Sequence, residues 1–421
     1  MKSMGLFFVI FGCISLLLIK NVNAQILVYD IKVVTDHQLK QLTVESEIKI
    51  KTLKTDDYDL LLNGAVQNLS ITSGGKPVSF AHLNQSPNQF INGRLLNIKG
   101  LQPNAINTLS FKYQLPVSAI NYWDPDHMQF GVKITDGLET GMYSAWLPLP
   151  LNNGNFSYQL TVDTPANFKV VGNGNILNQG NQWTVTSNQP QFDVPLLISN
   201  KIQTETIVSE AGTVELVHFG LPLERVNKLA NNINEITALF SAKFGPVASA
   251  GKYQFAFVPR NNNPSYSRKG FAVINNYGSE VTRFSTLAHE IAHFWWNGAD
   301  SASWEDWLNE SFAEYAALIA IEEEFGDDVH TKTTTNFAKV ASQAPAIWQL
   351  ARDHEQSTLS LYRKGPLILE QLKQKIGEDD FYQFLRELNL NKIKTTSAAL
   401  DHLKSSVSSE AELQLRQSLQ Q

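Results

Sequence analysis

Two histidines stand four residues apart in the apolar run LAHEIAHFWWNG, at positions 287–298. Gly278 and Ser279 can begin a helix here and Asn297 with Gly298 can end it. On a helix, residues four apart share one face, so His289 and His293 can present two imidazoles to one cation. Glu290 stands at the rim, where it can reach a water on that cation. The spacing therefore indicates a zinc site with a carboxylate base beside it.

A third ligand is needed, because a five-residue pattern of this kind arises by chance in about one chain in a hundred of this length. Zinc in a hydrolytic site takes three protein ligands and keeps one position open. The segment SWEDWLNESFAEYAALIAIEEEFG, at 303–326, predicts a second helix. Ser303 and Asp306 form a capping-box pattern at its start and Gly326 can end it. Packed against the first helix through a short connection, it lets Glu310 complete the site.

Glu314 lies four residues after Glu310, on the same helix face. It can accept a hydrogen bond from a ligand histidine and fix its tautomer, or it can be a solvated helix residue. Both interpretations stay open at this point. Trp295 and Trp296 are interpreted as core or cleft wall. The other histidines have no partner at metal spacing and are interpreted as surface or ordinary core residues: His37, His82, His127, His218, His330, His354 and His402.

The paired motifs resemble a known family. HEIAHFWWNG followed by WLNESFAEY is similar to HELAHQWFGN followed by WLNEGFA, the signature of the zinc aminopeptidase family of membrane alanyl aminopeptidase and leukotriene hydrolase, which are gluzincin metallopeptidases. The connection here is two residues shorter than is usual in the family, which we interpret as a loop deletion. The resemblance covers roughly residues 265–370. It implies one Zn²⁺ ion held by His289, His293 and Glu310.

A third motif follows in the expected order. LYRKGPLILEQL, at 361–372, contains the Tyr-x-Lys-Gly pattern of the family. The resemblance implies that Tyr362 donates a hydrogen bond to the developing oxyanion, and a phenol, which stays protonated at neutral pH, suits that role. The alternative is a buried structural tyrosine. The implied reaction is amide hydrolysis by a zinc-activated water, with Glu290 taking the proton and delivering it to the leaving amine.

The family's amine-binding motif, Gly-Ala-Met-Glu-Asn, is absent. PSYSRKGFAVINN stands in its place at 264–276 and contains no acidic residue. If FAVIN replaces the family's following strand, Lys269 falls where the glutamate should be, although the alignment could shift by one residue. An ammonium there would repel a substrate amine and could attract a carboxylate. About sixty residues follow Tyr362, which leaves no room for the family's large C-terminal helical domain. Aminopeptidase and endopeptidase action therefore both stay open.

Two function classes compete. The first is a secreted or envelope zinc metallopeptidase that acts on extended peptides. The alternative is a non-catalytic binding protein that retains a peptidase fold and a zinc site, with its β domain as the working part. Glu290 and Tyr362 beside a full ligand set favour the enzyme. A purely structural zinc is disfavoured, because structural sites normally fill the fourth position.

Periodicity divides the chain near residue 205. Alternating apolar and polar residues at 42–53, 156–162 and 182–186 predict strands, with turn clusters at 73–77 and 172–175. Helical spacing appears at 222–245, a strand pattern at 253–259, and mainly helical patterns follow FAVIN. We therefore predict an α+β protein in which a β-sandwich domain, residues 25–204, precedes a thermolysin-like, mainly helical zinc-peptidase domain, residues 205–421.

Residues 1–24 carry a lysine, a long apolar run and Val-Asn-Ala at the end, which is typical of a cleaved secretory signal. An uncleaved anchor helix is the alternative, but the apolar run falls short of the ~20 residues that a span needs. Cys13, the only cysteine, lies in this segment, so a metal site must use histidine and carboxylate. We expect export to the periplasm, the envelope or the exterior. The net charge of −6 and the lack of a basic run give no sign of a nucleic-acid partner.

Overall fold

A computed structural model describes residues 24–36, 38–52, 58–83, 91–120, 137–151, 155–209, 212–247, 251–259, 265–275, 278–301 and 303–421. The predicted signal sequence, apart from Ala24, lies outside these residues, as do His37 and His127. None of the helices in the described segments combines the length and the apolar character that crossing a membrane requires.

The strands are β1 (Ala24–Thr35), β2 (Gln41–Thr52), β3 (Tyr58–Leu62), β4 (Gln67–Ser73), β5 (Lys76–Pro77), β6 (Phe80–Leu83), β7 (Arg94–Ile98), β8 (Ile106–Pro116), β9 (Gly137–Thr140), β10 (Leu149–Pro150), β11 (Phe156–Asp163), β12 (Lys169–Gly172), β13 (Asn175–Gln179), β14 (Gln182–Gln191), β15 (Leu196–Ser199), β16 (Gln203–Ser209), β17 (Gly212–His218), β18 (Gly251–Val258), β19 (Tyr266–Arg268) and β20 (Phe271–Asn275). The α-helices are α1 (Val117–Ile120), α2 (Leu223–Phe244), α3 (Glu280–Ala292), α4 (Trp307–Phe325), α5 (Asp327–Ala341), α6 (Ser357–Leu359), α7 (Gly365–Ile376), α8 (Glu378–Leu390), α9 (Thr396–Ser406) and α10 (Ser409–Gln420). Short 3₁₀ turns span Met142–Ser144 and Trp304–Asp306, and a π turn spans Ser360–Lys364.

The N-terminal half is built from three sheets. An eight-stranded sheet has the order β13-β14-β11-β1-β2-β8-β4-β5, beside a four-stranded sheet β10-β3-β7-β6 and a three-stranded sheet β12-β15-β9. The alternation in β2 turns Leu42, Val44, Ile48 and Ile50 into the core, because successive side chains of a strand point to opposite faces. β1 pairs parallel with β11 and antiparallel with β2.

The C-terminal half has one five-stranded sheet, β16-β17-β18-β20-β19, covered by helices. The change of sheet falls between the end of β15 at Ser199 and the start of β16 at Gln203. β17, β18 and β20 run parallel, and β19 is added antiparallel at the edge. The largest apolar core joins this sheet to α2, α3, α4 and the later helices. A separate apolar cluster joins the two halves, with Tyr143 and Leu197 on one side and Tyr266 and Phe271 on the other.

The predicted fold class is confirmed: a sheet-rich N-terminal half precedes a mixed, mainly helical C-terminal half. Two local expectations were wrong. α3 ends at Ala292 and not near Asn297, because the backbone N–H groups of Phe294 and Trp295 donate to carbonyls three residues back and tighten the chain into a turn. The capping box does not form either, since Ser303 caps Glu305 and Asp306 is buried against Arg352.

Candidate metal centre

Helices α3 and α4 pack against each other and bring the three predicted ligands together. His289 lies in the last turn of α3, His293 directly follows that helix, and Glu310 lies in the first turn of α4. Glu310 Oε2 is 3.3 Å from His289 Nε2 and 3.7 Å from His293 Nε2. One ligand atom from each residue lies within 4.8 Å of the others, and all three residues are buried. The described part of the chain contains no other such group of three or more.

The spacing of these atoms fits one zinc ion. Zinc binds imidazole nitrogen and carboxylate oxygen at about 2.0–2.2 Å in a tetrahedral arrangement, which separates neighbouring ligand atoms by roughly 3.3–3.6 Å. The two nitrogen–oxygen distances lie close to that range. Two imidazoles and one carboxylate are also a known ligand set of catalytic zinc sites, and they leave a fourth position for water or substrate.

Hydrogen bonds orient both imidazoles. His289 Nδ1 lies 2.8 Å from Glu314 Oε2, and His293 Nδ1 lies 2.9 Å from the Trp296 carbonyl. Because a carbonyl oxygen can only accept and an ionised carboxylate does the same, each Nδ1 carries the proton and each Nε2 keeps its lone pair for a metal. Glu314 is 3% exposed and is therefore not a solvated helix residue. It occupies the outer position that fixes the tautomer of His289.

The buried carboxylates of the site also favour a bound cation. Burial lowers the pKa of His289, but hydrogen bonds to Glu310 and Glu314 outweigh it and raise that pKa to about 10. Burial raises the pKa of Glu290, while the nearby imidazoles of His289 and His293 oppose the rise. The carboxylates that would stabilise a proton on His289 would equally stabilise a metal ion in contact with it. A buried group of carboxylates of this kind is expected to hold positive charge.

The Trp-Leu-Asn-Glu motif closes the shortened connection between the two helices. Asn309 Oδ1 accepts from the Ala299 N–H at 3.1 Å, and Asn309 Nδ2 donates back to the Ala299 carbonyl at 3.2 Å and to Asp306 Oδ1 at 2.9 Å. Trp307 Nε1 donates to Thr396 Oγ1 at 2.7 Å and so ties α4 to α9. These contacts fix the start of α4, and Glu310 is placed one residue after Asn309.

Tyr362 lies in the π turn that precedes α7, with its ring stacked on the His289 ring at a centroid distance of 5.7 Å and an angle of 18°. Such π turns are rare and frequently occur at functional sites. Ser311 Oγ donates to the Leu361 carbonyl at 2.6 Å. The glycine of the Tyr-x-Lys-Gly motif is required for space, because a Cβ on Gly365 would overlap Ser311 Oγ. Lys364 donates to the carbonyl of Ala344, which follows α5.

Comparison with protein families agrees with this geometry: residues 274–421 match the model of the "Peptidase family M1 domain". The resemblance inferred from the three motifs is thereby confirmed. The matched segment contains His289, Glu290, His293, Glu310 and Tyr362, whose individual roles stay predictions.

Three known proteins illustrate the likeness. Aminopeptidase N of Streptomyces lividans is 26% identical over an alignment of 259 positions that covers 54% of this chain and 30% of that protein. A variant M1 zinc metallopeptidase from Deinococcus radiodurans, solved with a Tyr-Ser-Ala substrate, superposes with a TM-score of 0.65 at 19% identity, over 94% of each chain. Native yeast LTA4 hydrolase gives a TM-score of 0.67 at 14% identity over 94% of this chain and 66% of that one. The two structural likenesses establish the fold, and the chain spans under a third of the Streptomyces relative.

The strand upstream of the matched segment carries a residue that the sequence did not single out. Lys269 lies exposed in the turn between β19 and β20, whereas Arg268 is buried at the end of β19. Arg268 Nε donates to Asp193 Oδ2 at 2.8 Å, and both side chains are almost fully buried. The guanidinium also lies against the rings of Tyr266 and Phe192, at 4.5 and 4.9 Å.

Arg268 is close enough to Glu290 for its charge to oppose the burial-driven rise in the pKa of that carboxyl. The buried cation of this strand is therefore one residue earlier than the position that the alignment suggested. Arg268 and Lys269 are adjacent cations in a segment of mostly buried residues, which is a sequence signal that one of them forms a buried ion pair. The partner itself could not be read from the sequence, because Asp193 lies 75 positions away.

Proposed function

We propose that this protein is a zinc-dependent metallopeptidase that hydrolyses peptide bonds. One observation carries the proposal: His289, His293 and Glu310 converge at zinc spacing in an M1 domain, with Glu290 next to the first ligand and the Tyr362 ring against it. The relatives that match in sequence are aminopeptidases, which supports peptide substrates.

Each residue has a role that follows from its chemistry. When bound, zinc supplies a water of lowered pKa and polarises the substrate carbonyl. Glu290 is buried, which favours proton uptake, so it can accept the proton from that water and deliver it to the leaving amine. Tyr362 can donate its phenolic hydrogen to the oxygen on which negative charge develops. Its ring packing on His289 holds that donor beside the metal ligands.

We propose short, extended peptides as substrates, by analogy with the Deinococcus metallopeptidase that was solved with a tripeptide. The amine-binding motif of the aminopeptidases is not found here, since residues 264–276 contain no carboxylate. β19 instead ends in a buried arginine. We therefore expect that a free amino terminus is not strictly required and that internal peptide bonds can also be cleaved.

The test is hydrolysis of matched peptides with free and acetylated amino termini by the mature, zinc-loaded protein. Cleavage of both at similar rates supports the proposal, and a strict need for the free amine contradicts its substrate part. Glu290→Gln should keep one equivalent of zinc and lose nearly all turnover. Wild-type protein that binds zinc and these peptides without cleaving them would favour the alternative, a binding protein with a retained peptidase fold.

We further propose that the protein is exported. The support is the signal-like sequence of residues 1–24. Fractionation of cells that express the full chain should recover protein outside the cytoplasm whose sequence begins at Gln25. An intact first residue, Met1, on the recovered protein would contradict this.

A further inference from the structure

Arg363 follows Tyr362 in the π turn and extends to α4. Its Nη1 donates to Glu314 Oε1 at 2.5 Å and to the Tyr362 carbonyl at 2.8 Å. The other carboxylate oxygen of Glu314 lies 2.8 Å from His289 Nδ1. A single buried carboxylate therefore joins the arginine beside the tyrosine to the imidazole of the first metal ligand.

The surroundings hold Arg363 in this position. The Glu314 side chain is 3% exposed and that of Arg363 is 17% exposed. The guanidinium lies over the ring of Phe337, on α5, at 4.4 Å. A charged side chain held between an aromatic ring and a buried carboxylate has few alternative positions.

A second contact makes the attachment of the turn rigid. The Ser311 hydroxyl donates to the Leu361 carbonyl, so the turn is tied to α4 on both sides of Tyr362, by Ser311 before it and by Arg363 after it. Ser311 replaces the glycine of the family pattern WLNEGFA. The turn therefore meets α4 at two points, and one of them, Glu314, also orients a metal ligand.

We propose that Arg363 is a positioning residue that couples the zinc ligand His289 to the turn carrying Tyr362, through the Glu314 carboxylate. It acts on the metal through Glu314 and on the tyrosine through the turn, and it does not touch the reacting atoms. The catalytic half of this inference rests on the proposed function. The metal half does not, because zinc release is measured without substrate.

The test variant is Arg363→Met, which keeps the length and the packing on Phe337 but removes the charge and its hydrogen bonds. Transfer of zinc to a chromogenic chelator should become about tenfold faster, the lower end of what loss of an outer-sphere partner costs in metal affinity. The kcat for peptide cleavage should fall while KM changes little. Arg363→Lys should give intermediate zinc release. Arg386→Met is the control, since Arg386 also donates to carbonyls of another element, those of Ala242 and Lys243, but away from the metal.

A double variant separates positioning from folding. Arg363→Met alone leaves a buried carboxylate without its cation and could fail to fold. In the double variant with Glu314→Gln, both charges are absent. Its rate of zinc release should lie within about twofold of the rate for Glu314→Gln alone, because Arg363 acts through that carboxylate. Wild-type zinc release in Arg363→Met, or a further tenfold increase in the double variant, would overturn the inference. If the wild-type protein has no peptidase activity and Arg363→Met still releases zinc faster, the inference is retained and the proposed function is rejected.

Discussion

Two groups of residues near Glu290 are built differently. On the metal side, the side chains described above come from α3, the turn directly after it, α4 and the π turn, between residues 289 and 363. The second group, which we call the strand side, is the pair of Arg268, from the edge strand β19, and Asp193, from the β-sheet half of the chain. The metal side is a set of residues at helical spacing, whereas the strand side is a contact between the two halves of the chain.

This difference explains what each side can tolerate. The metal side consists of polar groups whose orientation is fixed by hydrogen bonds, so its loss should affect zinc and turnover more than folding. The Arg268–Asp193 pair is buried in the apolar boundary between the halves. Breaking it leaves an unpaired charge in low dielectric, so its loss should affect folding more than zinc.

Removal of the third ligand should give the largest effect. Glu310→Gln keeps the shape of the side chain but removes the anionic ligand. Zinc affinity should fall roughly 100- to 1000-fold, since structural zinc sites share a binding free energy of about 10–16 kcal/mol among four protein ligands. Peptidase activity should disappear with the metal. The measurement is zinc stoichiometry after dialysis against a chelator buffer, together with peptide hydrolysis.

Thermal unfolding sharpens this test. Glu310 is buried near Glu290, and Coulomb repulsion between them raises the pKa of Glu290. Metal-free Glu310→Gln loses both this repulsion and the interaction of Glu310 with His289, two effects of opposite sign, so its unfolding temperature should stay close to that of metal-free wild type. A lower unfolding temperature would show that Glu310 supports the fold, and the distinction between the two sides would fail.

Tyr362→Phe should give the next largest effect. The ring that stacks on His289 is kept and only the hydroxyl is lost. The kcat should fall by roughly 100- to 1000-fold, the range measured when one oxyanion donor is removed. Zinc stoichiometry and KM should change little. A kcat within about threefold of wild type would make Tyr362 a structural residue, as the alternative interpretation of the motif holds.

The metal side was predictable from the sequence because its information is local. The four-residue spacing placed His289 and His293 on one face, and Gly326 ended α4 where it was expected. FAVIN forms β20 over the predicted residues. Glu314 was left undecided by the sequence, because helical spacing gives its face but not the depth of that face in the core.

The strand side depends on long-range pairing that leaves no periodic pattern. Nothing in the sequence near Asp193 indicates an arginine 75 residues later. The order of strands, including the parallel pairing of β1 with β11, is set by which sheets can bury their apolar faces together. The turn after Ala292 was also missed, because it is fixed by backbone hydrogen bonds to carbonyls three residues back, together with the His293–Trp296 hydrogen bond, and not by a helix-ending residue.

Arg268→Met should act mainly on stability. It leaves Asp193 buried without its cation, which should lower the free energy of unfolding by about 3–5 kcal/mol. Zinc stoichiometry at a temperature where the variant is folded should be unchanged. The measurement is urea unfolding followed by circular dichroism, with zinc content determined on the same sample.

Two controls accompany this variant. Lys112→Met removes an ion pair with Glu45 in which both side chains are about half exposed or more, and it should cost no more than about 1 kcal/mol. Adding Asp193→Asn to Arg268→Met should recover much of the lost stability, because no buried charge is then left alone. Loss of zinc from folded Arg268→Met would contradict the separation of the two sides.

Lys269→Glu should have the smallest effect, although the alignment placed this residue where the family has its amine-binding glutamate. Lys269 is exposed in the turn after β19, so its replacement should change the free energy of unfolding by less than about 0.5 kcal/mol. The ratio of kcat/KM for free and acetylated peptides should stay within about twofold, because a solvated charge on a turn is screened. A large gain for the free-amine peptide would show instead that this turn contacts the substrate's amino end, and the substrate side of the site would then extend beyond the buried Arg268.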